Sequence, residues 1–220
     1  VLIRPVIEGD TMTLSAPDMD NLVIDIEKLY DSETKKIQTW FKDIVDVVDC
    51  GDEIAEWMSR YLLGEELGLR VVFYPSRLPK PKVQKRKRPF PAANRVDQGA
   101  LQDETSFLLM SQSSIDDLNR NLEQQVTAQR FRPNFVVRGS EAWAEDNWKW
   151  IKIGETVFQT VQPCTRCIFT NIDPESGERS AEGQPLKTLQ KMRTFKEKTG
   201  PTPWFGIQLG VRQKGKVSLG

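Results

Sequence analysis

A chain of 220 residues is long enough for one large domain or two small ones with a sizeable buried core. With 38% hydrophobic and 28% charged residues the composition is globular, and the 31 Lys+Arg and 31 Asp+Glu cancel, which excludes a global nucleic-acid footprint. Histidine is absent, which excludes Ser-His-Asp and Cys-His nucleophiles, His-ligated zinc and imidazole acid/base chemistry. No run approaches the roughly 18 apolar residues of a membrane span, and no secretory signal opens the chain. The sequence starts at Val1 without Met and reads as a fragment. Its three cysteines, Cys50, Cys164 and Cys167, are too few for a four-ligand structural zinc site. Their odd, low number argues for a reducing compartment and against a disulfide scaffold.

In chain order, Val1–Ile7 and Thr11–Leu14 predict a hairpin with a II′-type turn at Gly9-Asp10. Short strand-like runs follow over 22–48, among them Ile37–Ile44 and Val45–Val48. A helix is expected after Cys50-Gly51-Asp52-Glu53, with Ile54, Trp57, Met58, Tyr61 and Leu62 on one face. Leu69–Tyr74 reads as a buried strand. Residues 75–95 break the pattern: five prolines and eight basic residues, including Lys85-Arg86-Lys87-Arg88, occur with no acid. Such a stretch stays extended, as a solvated linker or as an electrostatic docking strip for an acidic partner. Beyond it come a strand at Ser106–Met110, a helix capped by Ser113 or Ser114 and running to about Gln129, and a strand at Phe135–Val137. Paired strands Ile151–Gly154 and Thr156–Val161, a strand over Cys167–Ile172 and a turn at Asp173–Gly177 follow. A short helix over Pro185–Lys196 and a last strand at Phe205–Val211 complete the series. Many short strands with few helices predict an α+β, mainly β fold: a closed antiparallel β-barrel with peripheral helices, preceded by a partial N-terminal β-barrel region. The expected division is 1–75, a Pro/basic linker over 76–98, and a second domain over 99–220.

Three features could carry chemistry. Cys164-Thr165-Arg166-Cys167 lies between strand-like runs, which disfavours thioredoxin-type dithiol exchange at a helix N-terminus. Two readings stay open: a pair of buried, inert cysteines on a strand, or one thiolate ligand to a soft metal, kept ionised by Arg166. In Phe131-Arg132-Pro133-Asn134, Pro133 biases Arg132 towards extended backbone at a helix-to-strand junction. The pair Arg132 and Asn134 reads either as a phosphate contact or as a surface Arg with a turn Asn. The third feature, Ala142–Trp150, reads as aromatic packing, with Glu145 and Asp146 on opposite faces of a strand.

Taken in order, Phe131-Arg132-Pro133-Asn134, Gly139, Glu145-Asp146-x-Trp148, Ile153-Gly154, Cys164-Thr165-Arg166-Cys167, Thr170, Asp173-Pro174, Gly177, Pro185-Leu186-x-Thr188-Leu189 and Phe205-Gly206 resemble MOSC domains. Within these the sequence is most similar to the mitochondrial amidoxime-reducing components, a molybdenum-cofactor family. The resemblance is strong over 100–210 and weaker over 1–75. It implies that Cys167 ligates molybdenum, and that Arg132, Asn134, Thr165 and Arg166 hold the phosphate and polar edge of molybdopterin. Asp103-Glu104-Thr105 matches a further cofactor-contacting stretch. Glu104 departs there from a small hydroxyl residue, which leaves a backbone contact, and Asp103 is the candidate proton donor. Gln208 stands near a position often filled by an aromatic and is left out of the set. The family's Lys-Ser pair and an N-terminal Arg would precede Val1. The resemblance further implies reduction of small N-hydroxylated compounds with electrons from NADH through cytochrome b5 reductase and cytochrome b5. It also implies a cytosol-facing place on the mitochondrial outer membrane, reached through a segment outside this chain. Because such cytochromes are acidic, the 75–95 strip acquires a use. The alternatives are the C-terminal MOSC domain of a molybdenum-cofactor sulfurase and a MOSC-fold interaction protein without cofactor.

Overall fold

The computed structural model describes residues 2–39, 42–78, 97, 101, 105–196 and 200–219. Asp103, Glu104 and positions 79–95 of the basic strip lie outside the described residues. The chain divides into two compact units, Val1–Pro81 and Lys82–Gly220.

The first unit opens with the expected hairpin, β1 (Arg4–Glu8) and β2 (Thr11–Ser15), and β2 also pairs with β3 (Leu22–Asp25). Gly9 adopts φ 58°, as the first position of a II′ turn requires. A short helix α1 (Ile26–Tyr30) follows. A second three-stranded antiparallel sheet is ordered β4 (Thr34–Gln38), β5 (Ile44–Asp49), β6 (Val72–Phe73). The chain turns between β4 and β5, so the single run expected over Ile37–Ile44 is two strands. Helix α2 (Asp52–Leu63) begins after Gly51 and ends at Gly64 in the left-handed conformation. Ile54 and Trp57 pack on Leu14, Leu22 and Ile24, whereas Leu62 is exposed.

The second unit is built on a five-stranded sheet in the order β8 (Phe135–Val137), β7 (Phe107–Ser111), β11 (Trp204–Gln213), β10 (Thr156–Thr165), β9 (Trp150–Ile153). Strands β7 and β8 run parallel and the other pairs antiparallel. The edge strands β8 and β9 each pair on one side only, so the sheet is an open, curled half-barrel and not the closed antiparallel barrel expected from the strand count. Helices do the burying that closure would have done. Met110 and Phe205 on one face are covered by Ile115 and Leu118 of α3 (Gln112–Asn119) and Leu189 of α4 (Leu186–Arg193). Leu109, Phe158, Ile207 and Leu209 form the core of the other face. Helix α3 is shorter than expected. Ser111, the last residue of β7, caps it by accepting from the Ser114 N–H, and Asn119 takes both the N–H (2.8 Å) and, through its amide, the carbonyl (3.0 Å) of Val126. That local closure ends the helix before the apolar pattern does.

Candidate functional site

The Cys-x-x-Cys segment straddles the end of a strand. Cys164 lies half-buried near the end of β10, and Thr165 faces Trp204 in the last rung with β11. Arg166 then turns inward and is 7% exposed. Its backbone N–H donates to the Pro203 carbonyl at 2.8 Å. Its guanidinium donates through Nε (2.8 Å) and Nη2 to the Phe205 carbonyl, and through Nη1 to the Phe131 carbonyl at 3.1 Å. Nη2 also reaches Met110 Sδ at 3.6 Å, and the group stands 5.5 Å from the Phe131 ring. A buried cation with no carboxylate partner among the described residues is thus satisfied by backbone oxygens and an aromatic face.

Cys167 follows directly, exposed and with a free thiol. It caps a 3-10 turn, Ile168–Asn171, where a strand was expected over Cys167–Ile172. The Cys167 carbonyl accepts from the Thr170 hydroxyl at 2.9 Å and the Thr170 N–H at 3.2 Å, which winds the segment. Thr170 and Asn171 are buried together, a pattern strand alternation cannot produce.

A second 3-10 turn, Ala128–Phe131, packs against the first. Arg166 ties them at Phe131, and Arg130 Nη2 meets Asp173 Oδ2 at 2.6 Å. The Asp173 carboxyl is held below its ordinary range first by the Ser176 and then by the Glu175 backbone N–H, with Arg130 adding attraction. Arg132 closes the second turn in the left-handed region, φ 55° and ψ 47°, instead of the extended backbone expected before Pro133. Its N–H is drawn back to the Gln129 carbonyl at 3.1 Å. The Arg132 side chain is exposed and has no partner among the described residues.

Asn134 and Thr105 sit elsewhere. Asn134 Oδ1 accepts from the Leu108 N–H at 2.8 Å while its own N–H donates to the Leu108 carbonyl at 2.9 Å, extending the β7–β8 ladder by one rung. Thr105 Oγ1 donates to the Phe107 carbonyl at 3.2 Å. Thr165 pairs with Trp204, whereas Phe107 pairs with Leu209 five residues further along β11, a separation of roughly 17 Å. Thr165, Arg166, Cys167 and Arg132 therefore gather at one end of the sheet, and Thr105 lies towards the other. Between the two ends Gln208 and Gln162, joined at 3.1 Å, point away from the Leu109–Ile207–Leu209 core. Gln208 is the lone polar side chain between two core residues of its strand, a signal visible in the alternation.

Sequence reading missed a buried cluster beside this end. Glu145 and Asp146 lie in a 3-10 turn, Ala144–Asn147, and not on a strand. Glu145 is fully buried and accepts from the Ser111 N–H (3.3 Å), the Ser111 hydroxyl (3.0 Å) and the Ser114 hydroxyl (2.9 Å). Asp146 pairs with Arg193, which stands 4.2 Å from the Trp143 ring. Burial pushes the Asp146 carboxyl up, against the pull of Arg193.

Among the described residues no group of three or more His, Cys, Asp or Glu is placed to hold an ion. A metal at Cys167 would need to bring most of its ligands with it. Also among the described residues, no helix is long and apolar enough to cross a membrane.

An open mixed sheet, with an exposed thiol and an exposed guanidinium on adjoining turns at one end, agrees with what comparison of the sequence finds. Residues 97–220 match the MOSC domain and residues 1–65 the MOSC N-terminal beta barrel domain, and the chain belongs to the MOSC-domain family. It is closely related to the mitochondrial amidoxime-reducing components. It is 34% identical over 227 residues to mitochondrial amidoxime-reducing component 1 of Homo sapiens, an alignment covering 100% of this chain and 64% of that protein. Identity is also 34% over 221 residues to component 1 of Danio rerio, covering 100% and 66%, and 32% over 224 residues to component 2 of Bos taurus, covering 100% and 65%. The chain spans just under two thirds of the length of these relatives.

Proposed function

We propose that this chain is the cofactor-holding part of a molybdenum-dependent oxidoreductase that reduces small N-hydroxylated compounds. The observation that carries the reading is the exposed, free Cys167 thiol directly after buried Arg166 and on the turn adjoining exposed Arg132. The donor set fits molybdopterin: a soft metal already chelated by sulfur needs one further thiolate, and an anionic phosphate suits a guanidinium with no partner among the described residues. The bound cofactor would supply the two-electron chemistry by which an N-hydroxyl group leaves as water. Cys167 would ligate the metal, and Arg166 fixes the backbone on which that thiol stands. Thr165 and Arg132 address the near end of the cofactor. Asn134, whose backbone pairs with Leu108, and Thr105, further along the sheet, would address the rest of the cofactor together with the Glu104 backbone. Asp103 donates the proton that the departing oxygen requires.

Electrons reach this site from NADH through cytochrome b5 reductase and cytochrome b5, and the basic 75–95 strip between domains 1–75 and 99–220 is the docking element for the acidic cytochrome. By kinship with proteins named mitochondrial, the enzyme works at the mitochondrial outer membrane, held by a segment outside this chain. The test is metal analysis of the full-length protein together with benzamidoxime turnover through reconstituted cytochrome b5 and its reductase. About one molybdenum per chain is expected, and Cys167→Ala should abolish turnover while changing stability by less than about 0.5 kcal/mol, because the thiol is exposed. Molybdenum without turnover would favour a sulfurase-type module, and neither would favour an interaction protein.

A further inference from the structure

The Ile168–Asn171 turn that Cys167 caps borders a cleft of about 490 Å³, together with residues 179–183 and the start of α4. Its walls include Arg179, Lys187, Ser180 and Ile168, and none of its lining residues is acidic. Glu178 and Glu182 neighbour the loop in sequence but do not line it. Neither Arg179 nor Lys187 has an ion-pair partner among the described residues. The Lys187 stem passes beside Gly183, where an added Cβ would meet Lys187 Cε at 3.2 Å. Asn171, only 4% exposed, lines the cleft too. Its Oδ1 is taken by the Leu186 N–H at 3.0 Å, which leaves the amide NH2 as a donor without a partner among the described residues. The first-turn N–H groups of α4 are all occupied: Leu186 by Asn171, Lys187 by Gly183, Thr188 by Gln184 and Leu189 by Pro185. The helix contributes its dipole, and the side chains must contribute the hydrogen bonds.

We infer that this cleft anchors the carboxylate of a carboxylated N-hydroxy substrate whose reacting end lies at Cys167. Two cations and an amide donor without partners among the described residues, with no carboxylate in the lining, select an anion. The volume suits a small molecule, and a nearly buried donor is out of reach of a broad protein face. The inference rests on the reductase reading, because that reading sets the reacting end at Cys167.

The experiment compares benzamidoxime with 4-carboxybenzamidoxime, using the loaded full-length enzyme and its Arg179→Gln and Lys187→Gln variants. Each variant should lower the kcat/KM ratio of the carboxylated over the uncharged substrate about tenfold, the loss of one charge-assisted contact. A second readout needs no turnover. In NMR titrations of the full chain, 4-carboxybenzamidoxime should shift the Asn171 side-chain amide signals and benzamidoxime should not, with the shift weakened in both variants. An unchanged ratio, or an Asn171 amide that responds equally to both compounds, overturns the inference. So does loss of molybdenum from the variants, which would make the cleft a cofactor-phosphate site, or a change in the cytochrome b5 concentration dependence instead of the substrate ratio, which would make it a protein contact. If wild-type enzyme turns over neither compound, the reductase reading fails, and the Asn171 titration still decides whether the cleft takes a carboxylate.

Discussion

Replacing Arg166 separates a framework role from a ligand-binding one. In Arg166→Met the charge and every donor vanish, leaving the carbonyls of Phe131 and Phe205 facing an apolar chain in a region that is 2% and 0% exposed at those residues. Taking about 1.5–3 kcal/mol for each carbonyl left without its charged donor, losing both costs about 3–6 kcal/mol, offset in part because a buried cation is no longer desolvated. A net loss of about 3 kcal/mol is expected. Arg166→Lys keeps the charge but can serve only one of the two carbonyls, and about 2 kcal/mol should be lost. At about 2–4 °C per kcal/mol for a chain of this size, the Met variant should melt roughly 6–12 °C lower. The assay is calorimetric or urea unfolding of the cofactor-free full chain, so no ligand contributes. Were Arg166→Met within about 1 kcal/mol of wild type while cofactor retention collapsed, the framework argument would be refuted and Arg166 would act on the ligand directly.

Other substitutions test the remaining parts. Arg132→Gln should reduce retained molybdenum several-fold with stability unchanged within about 0.5 kcal/mol, because the side chain is exposed; an equal drop in melting temperature would contradict this. Glu145→Gln puts an amide NH2 against either the Ser111 N–H or the two serine hydroxyls and should cost about 2 kcal/mol in urea unfolding, more than Glu141→Gln at an exposed position. The Asp49 carboxyl is held well below its ordinary range, first by Arg70 and then by the Gly51 N–H and Lys35, against the cost of burial. A depressed folded-state pKa contributes stability that is present above the unfolded value, about 3.9, and is lost as pH falls. The deficit of Asp49→Asn should therefore be largest near neutral pH and shrink below about pH 4, and a deficit that grows on acidification would count against the ion pair.

Periodicity and turn chemistry made much of this molecule legible. The hairpin around Gly9, helix α2 and strands β7 to β11 follow from alternation, a 3.6-residue stripe and glycine at positive φ. What escaped depended on contacts between distant residues. Nothing local says that Cys167–Asn171 will wind instead of extending, since Ile168 and Phe169 favour strands. The winding is fixed by Thr170 bonding back to Cys167 and by the packing of that turn on Ala128–Phe131. The apolar stripe Ile115–Leu118–Leu122–Val126 suggested one long helix, but Asn119 caps it by binding Val126. Barrel closure is likewise a global property: strand number does not tell whether the outer strands meet or helices cover the exposed face. The Cys-x-x-Cys and Arg-Pro-Asn motifs were visible as motifs, but the division of labour between the two arginines was not.

That division follows from counting donors. A guanidinium has five N–H groups, and Arg166 directs four contacts at Phe205, Phe131 and Met110, so at most one N–H is left for anything else. Arg132, one residue beyond the carbonyl that Arg166 grips, has no protein partner among the described residues. The buried arginine joins β7, β11 and the Ala128–Phe131 turn at a single point. The next residue, Cys167, thereby leaves a fixed backbone even though its side chain is exposed. An exposed thiol on a freely moving loop would lose orientational precision on binding, whereas this one is restrained through its neighbour before any ligand arrives. The same anchor fixes the backbone of Arg132 through the Phe131 carbonyl. One guanidinium thus sets the spacing between a soft donor and a cation, and a ligand that needs both finds them already in place.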